Sequence, residues 1–75
     1  MKAVYEIIDM LPARMQEKFK TISIDENETV TLIVLAHIEG INMFKVIEYN
    51  HFYDDLNVIT LYEEEVKALT KHLIK

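Results

Sequence analysis

The stretch Thr29-Val30-Thr31-Leu32-Ile33-Val34-Leu35-Ala36-His37-Ile38 decides how this chain folds. It is dense in β-branched residues, which suit a pleated strand and lose rotamer freedom in a helix. Side chains alternate across a strand. Val30, Leu32, Val34, Ala36 and Ile38 therefore share one face, and Thr29, Thr31, Ile33, Leu35 and His37 share the other. The first face is wholly apolar and the second is apolar at its centre. A strand that needs cover on both faces belongs inside a sheet rather than at its edge.

Working upstream, Ile22 and Ile24 alternate with Thr21 and Ser23 over residues 20–24, and the polar tetrad Asp25, Glu26, Asn27, Glu28 turns that strand into the long one. Downstream, Glu39 and Gly40 predict a two-residue hairpin turn, with glycine supplying the positive φ. A third strand is expected over residues 41–49, with Ile41, Met43, Ile47 and Tyr49 on the same face as Lys45. Residues 50–55 read as a loop carrying His51, Phe52 and Tyr53, aromatics expected to fold back over the core. Residues 56–59 make a short fourth strand.

Outside the strands the period becomes helical. Val4, Ile7, Ile8 and Leu11 mark one buried face of a helix over residues 2–11. Pro12 ends it and opens a second short helix through about Lys18, with Met15 and Phe19 facing inward. Near the C-terminus Thr60 and Glu63 have capping-box spacing, ahead of a stripe formed by Tyr62, Val66, Leu69 and Leu73. The fold class is therefore α+β: an N-terminal helix with a second short one, an antiparallel meander of three to four strands, and a C-terminal helix. Residues 1–75 form a single domain. The helices are expected on the face of Val30, Leu32 and Val34, which leaves Ile33 and Leu35 as the dimer contact.

Composition narrows the functions. A 75-residue chain that is 51% hydrophobic has much apolar surface and little interior, so a homodimer is the expected staple. There is no cysteine, which removes disulfides, thiolate zinc sites and a catalytic thiol. The longest run of aliphatic residues, Leu32 to Ala36, is too short to span a membrane, and Glu6 and Asp9 break any signal-peptide pattern, so a cytoplasmic protein is expected. His37, His51 and His72 fall in a strand, a loop and a helix without a ligand spacing, and His51 with Asp54 and Asp55 reads as a solvated loop, so no metal is expected. The single serine, Ser23, lies in a strand away from any glycine-rich elbow, and one glycine leaves no phosphate cradle. The reading is of a protein without enzymatic activity and without a cofactor.

Charge is the sharper signal. The net charge is -5, but residues 21–66 hold Asp25, Glu26, Glu28, Glu39, Glu48, Asp54, Asp55, Glu63, Glu64 and Glu65 against the lone cation Lys45. In a meander alternate turns share an end. Asp25, Glu26 and Glu28 should therefore lie beside Asp54 and Asp55, with Glu39 beside Glu63, Glu64 and Glu65 at the other end. Such carboxylate clusters predict a basic, nucleic-acid-binding protein as partner, and an inhibitor that works as a DNA mimic. Acidic residues at turns and helix starts also serve solubility alone. The alternative is a small DNA-contacting regulator, antitoxin-like or phage-like in size, that uses Arg14, Lys18, Lys20 and the lysines of its last turns.

Overall fold

In a computed structural model, residues 2–62, 64 and 65 are described. Two short helices, α1 (Val4–Asp9) and α2 (Ala13–Lys18), precede four strands: β1 (Phe19–Glu26), β2 (Val30–His37), β3 (Phe44–Asn50) and β4 (Asp55–Leu61). The strands form one antiparallel sheet in the order β1-β2-β3-β4. The quoted stretch is thus an interior strand, and the α+β meander follows from it.

Local chemistry sets the boundaries. The Glu6 carboxylate accepts the Ala3 amide at 3.0 Å, supplying a cap that the alanine side chain cannot. Pro12 sits at the N-cap of α2 with extended backbone, and its carbonyl accepts the amides of Met15 and Gln16. The Gln16 side chain donates back to the Leu11 carbonyl at 2.8 Å, closing the joint between the helices. In the β1–β2 turn the Asn27 side-chain oxygen accepts the amides of Thr29 and Val30.

The middle connection differs from the expected two-residue turn. Gly40 has the positive φ, +77°, but its amide bonds to the His37 carbonyl, and the loop runs to Met43 before β3 begins at Phe44. The edge strand β1 has a bulge between Thr21 and Ser23, where Ile22 lies opposite no residue of β2. At the other end of the chain Thr60 is inside β4, paired with Lys45, and so cannot cap a helix. The Tyr62 amide instead meets the Glu65 carboxylate at 3.2 Å. The expected C-terminal helix, with Val66, Leu69 and Leu73, lies outside the described residues.

The faces of the sheet are the reverse of those expected. Ile7 and Leu11 pack on Ile33, Leu35, Ile47 and Tyr49, with Val4, Ile8, Met15, Phe19 and Leu56 around them. The helices therefore cover the face of Thr31, Ile33 and Leu35. Ile33 is 0% exposed within the single chain, so Ile33 and Leu35 cannot be the dimer contact. No described helix lies over the opposite face, formed by Leu32, Val34, Phe44, Val46 and Ile59. Ile33→Ala should cost about 3 kcal/mol as a buried large-to-small change, whereas Ile22→Ala, half exposed at the bulge, should cost under about 1 kcal/mol. Urea unfolding followed by circular dichroism checks the contrast, and equal midpoints would contradict this core.

Candidate functional site

The β1–β2 turn and the β3–β4 loop lie side by side. The His51 amide donates to the Thr29 carbonyl at 2.7 Å, and Val30 pairs with Asn50 at the same edge. This brings Asp25, Glu26, Glu28, Asp54 and Asp55 to one end of the sheet, all exposed. Because Leu61 pairs with Phe44, the chain leaves β4 at the opposite end, so Glu64 and Glu65 share that end with Glu39. Glu63 lies outside the described residues. Eight strand residues at about 3.3 Å each separate the two groups by about 25 Å, which makes them two surfaces rather than one.

The β3–β4 loop is shaped by Asn50, whose side-chain oxygen accepts the amides of Phe52 and Tyr53. Asp54 completes the reversal with φ 53°, a left-handed conformation that Asp tolerates better than most residues. The aromatics do not fold back over the core as expected. Phe52 is 80% and Tyr53 74% exposed, their rings edge to face at 4.9 Å. Glu28, Thr29 and His51 line a shallow recess with them.

Beneath this tip is a polar network that holds it in place. The Lys2 amide approaches His51 Nδ1 at 3.4 Å, so the neutral ring carries its proton on Nε2, and the fully buried Thr31 hydroxyl accepts it at 2.6 Å. His51 is thereby committed to structure and has no nitrogen left for a metal ion. Its ring meets Tyr49 edge-on at 4.9 Å, and the Tyr49 hydroxyl donates to Asp54. Among the described residues no buried side-chain polar atom lacks a partner, and no three His, Asp or Glu side chains gather as a metal site.

The Tyr49 hydroxyl is pushed up to about 12, first by donating to Asp54, then by burial and by the negative charges of Asp54 and Glu6. Ionising it would remove the donor and set a phenolate against a carboxylate. The folded protein thus holds this proton more tightly than the unfolded chain, whose tyrosines titrate near 10. The stabilisation is complete below pH 10 and is lost as pH rises towards 12. Melting temperatures of the parent and of Tyr49→Phe should accordingly converge between pH 10 and 12, and a constant gap across that range would contradict the Tyr49–Asp54 bond.

The basic residues are placed differently from the acidic ones. Arg14 and Lys18, one helical turn apart on α2, line a groove with Lys45 of β3 at the end away from the aromatic tip. Lys20 pairs with Ala36 and so belongs to the opposite sheet face. The sequence reading missed this convergence, although Lys45 was visible as the single cation on an otherwise apolar strand face. No described helix is long and apolar enough to cross a membrane. No protein-family model matches the chain, and the comparisons with curated proteins and with solved structures find no significant match.

Proposed function

We propose that this chain is a non-enzymatic protein-binding module that grips a basic partner with its aromatic and acidic tip. The observation that carries the reading is the outward-facing pair Phe52 and Tyr53 among Glu28, Asp54 and Asp55, with Asp25 and Glu26 on the adjoining turn. Two exposed aromatic rings forgo burial that would stabilise the fold, and such rings are frequent anchors of protein interfaces. Carboxylates around them favour Arg and Lys on the partner, since a guanidinium can stack on a ring while pairing with an acid. The concrete form is a DNA mimic: the carboxylates stand for phosphates, and Phe52 and Tyr53 offer flat faces where a nucleic-acid-binding protein expects bases. Glu39, Glu64 and Glu65, at the other end, serve a separate surface.

The alternative, direct contact with DNA, has less behind it. Arg14, Lys18 and Lys45 meet around an apolar floor instead of forming a strip that could follow a phosphate backbone, and Lys20 is on the other face. The homodimer remains part of the reading, with its contact moved from Ile33 and Leu35 to the opposite face. There Val46 is already buried within the chain, and the half-exposed Ile59, with the part-buried Leu32, Val34 and Phe44, forms the apolar area that a second copy would cover.

The test is capture from nuclease-treated lysate by the tagged full chain. Parent protein should retain basic nucleic-acid-binding proteins, and duplex DNA should displace them. Phe52→Ala should weaken the complex by about 2 kcal/mol, roughly thirtyfold, and Asp25→Asn with Glu26→Gln and Glu28→Gln should weaken it at low salt and flatten its dependence on salt. Undiminished capture by both variants would sink the reading, and retention of the free protein on heparin would favour direct DNA contact. For the dimer, sedimentation equilibrium should give twice the chain mass for the parent and the single mass for Ile59→Asp, at a half-exposed position, with circular dichroism checking that the variant is folded. A single-chain mass for the parent would withdraw the dimer.

A further inference from the structure

At the end of the sheet away from the aromatic tip, α2, the start of β1, the end of β2 and the loop before β3 enclose an open groove of about 430 Å³. Its floor is apolar, made chiefly by Met15, Phe19, Ile41 and Met43, and three cations, Arg14, Lys18 and Lys45, stand around it. Among the described residues none that lines the groove is acidic, on a chain whose net charge is -5. Phe19 is the centre of this arrangement: its ring meets His37 edge-on at 5.0 Å, and the Lys45 ammonium lies 5.9 Å from its centroid. The ammonium is positioned by donating to the Thr60 hydroxyl at 2.6 Å. His37 Nδ1 accepts the Glu39 amide at 3.2 Å, which leaves Nε2 as the donor of the neutral ring.

We infer that this groove binds a small amphipathic anion, a molecule with one carboxylate or phosphate head on an aliphatic body. The argument is one of complementarity and does not depend on the partner proposed for the opposite end. Three cations at the rim select a negative head, because a neutral or positive one would leave them uncompensated. An apolar floor of methionine, isoleucine and phenylalanine selects an aliphatic body, with the flexible methionines adapting to its shape. The volume is within the range of small-ligand sites. A nucleic-acid strand fits poorly, since it would place phosphates against the apolar floor. The head would sit within reach of Arg14 and Lys18, which project from successive turns of α2, and the tail would run over Phe19 towards Met43.

The test uses the full chain labelled with ¹³C at its methionine methyls, titrated with decanoate below its micelle-forming concentration and, in parallel, with decyl phosphate, decyl glucoside and decyltrimethylammonium. Saturable binding of one decanoate or decyl phosphate per chain is expected, moving the Met15 and Met43 signals and leaving that of Met10, at the C-cap of α1, in place; which anion binds tighter identifies the head. Arg14→Gln with Lys18→Gln, both exposed and compatible with the fold, should weaken this binding at least tenfold with an unchanged melt. Equal binding of decyl glucoside, undiminished binding by the double variant, or no saturable binding of either anion would overturn the inference. So would displaced Met15 and Met43 signals in ligand-free Glu63→Gln/Glu64→Gln/Glu65→Gln protein together with tighter decanoate binding, because the chain's own acidic run would then be the occupant.

Discussion

The fold depends on one contact: Ile7 and Leu11 of the first helix seated on Ile33, Leu35, Ile47 and Tyr49 of the two interior strands. A four-stranded meander this short cannot bury a face by itself, and two helices of six residues each are too short to persist alone in water. Each part therefore exists because the other covers it. The contact also explains why the edge strands stay exposed. The helices are only long enough to shield β2 and β3, so Ile22 and Ile24 on β1 and Val58 on β4 remain about half open to solvent. The bulge at Ile22 and the neighbouring Lys20 make β1 a poor template for a further strand.

Burying the face with threonine and histidine in it required a polar solution. Thr31 is fully buried because His51 accepts the task of satisfying its hydroxyl, and His51 is held in turn by the Lys2 amide and the edge of Tyr49. Tyr49 passes the constraint to Asp54, the residue with left-handed backbone that turns the loop outward. The position of Phe52 and Tyr53 at the surface is thus coupled to the core through four side chains. A tip anchored in this way loses little conformational entropy when it meets a surface, which is an advantage for a contact element.

Charge gathers in separate patches on the sheet. The tip end holds Asp25, Glu26, Glu28, Asp54 and Asp55, while at the other end, which also carries Glu39, Glu64 and Glu65, Arg14, Lys18 and Lys45 gather around an apolar groove. Antiparallel topology alone brings alternate turns together, which accounts for the acidic cluster. The basic groove has a different origin, in the way α2 folds back so that its Arg14–Lys18 side meets the first residues of β3. The two surfaces are thereby suited to opposite kinds of ligand.

The sequence by itself determined the α+β class, the break at Pro12, the interior position of β2, and the turn neighbourhood of the acidic residues, because periodicity and turn chemistry are local properties written in consecutive residues. It could not determine which face of β2 the helices would cover. Val30, Leu32 and Val34 form the more apolar face, yet the opposite one is buried, since Thr31 and His51, twenty residues apart, satisfy one another only once the sheet has formed. The same limit hid the exposure of Phe52 and Tyr53, which follows from the Asn50 side chain and the Asp54 backbone, and the meeting of Arg14 and Lys18 with Lys45. Tertiary structure decided these points because each rests on contacts between distant residues, whose geometry no pattern of neighbours contains.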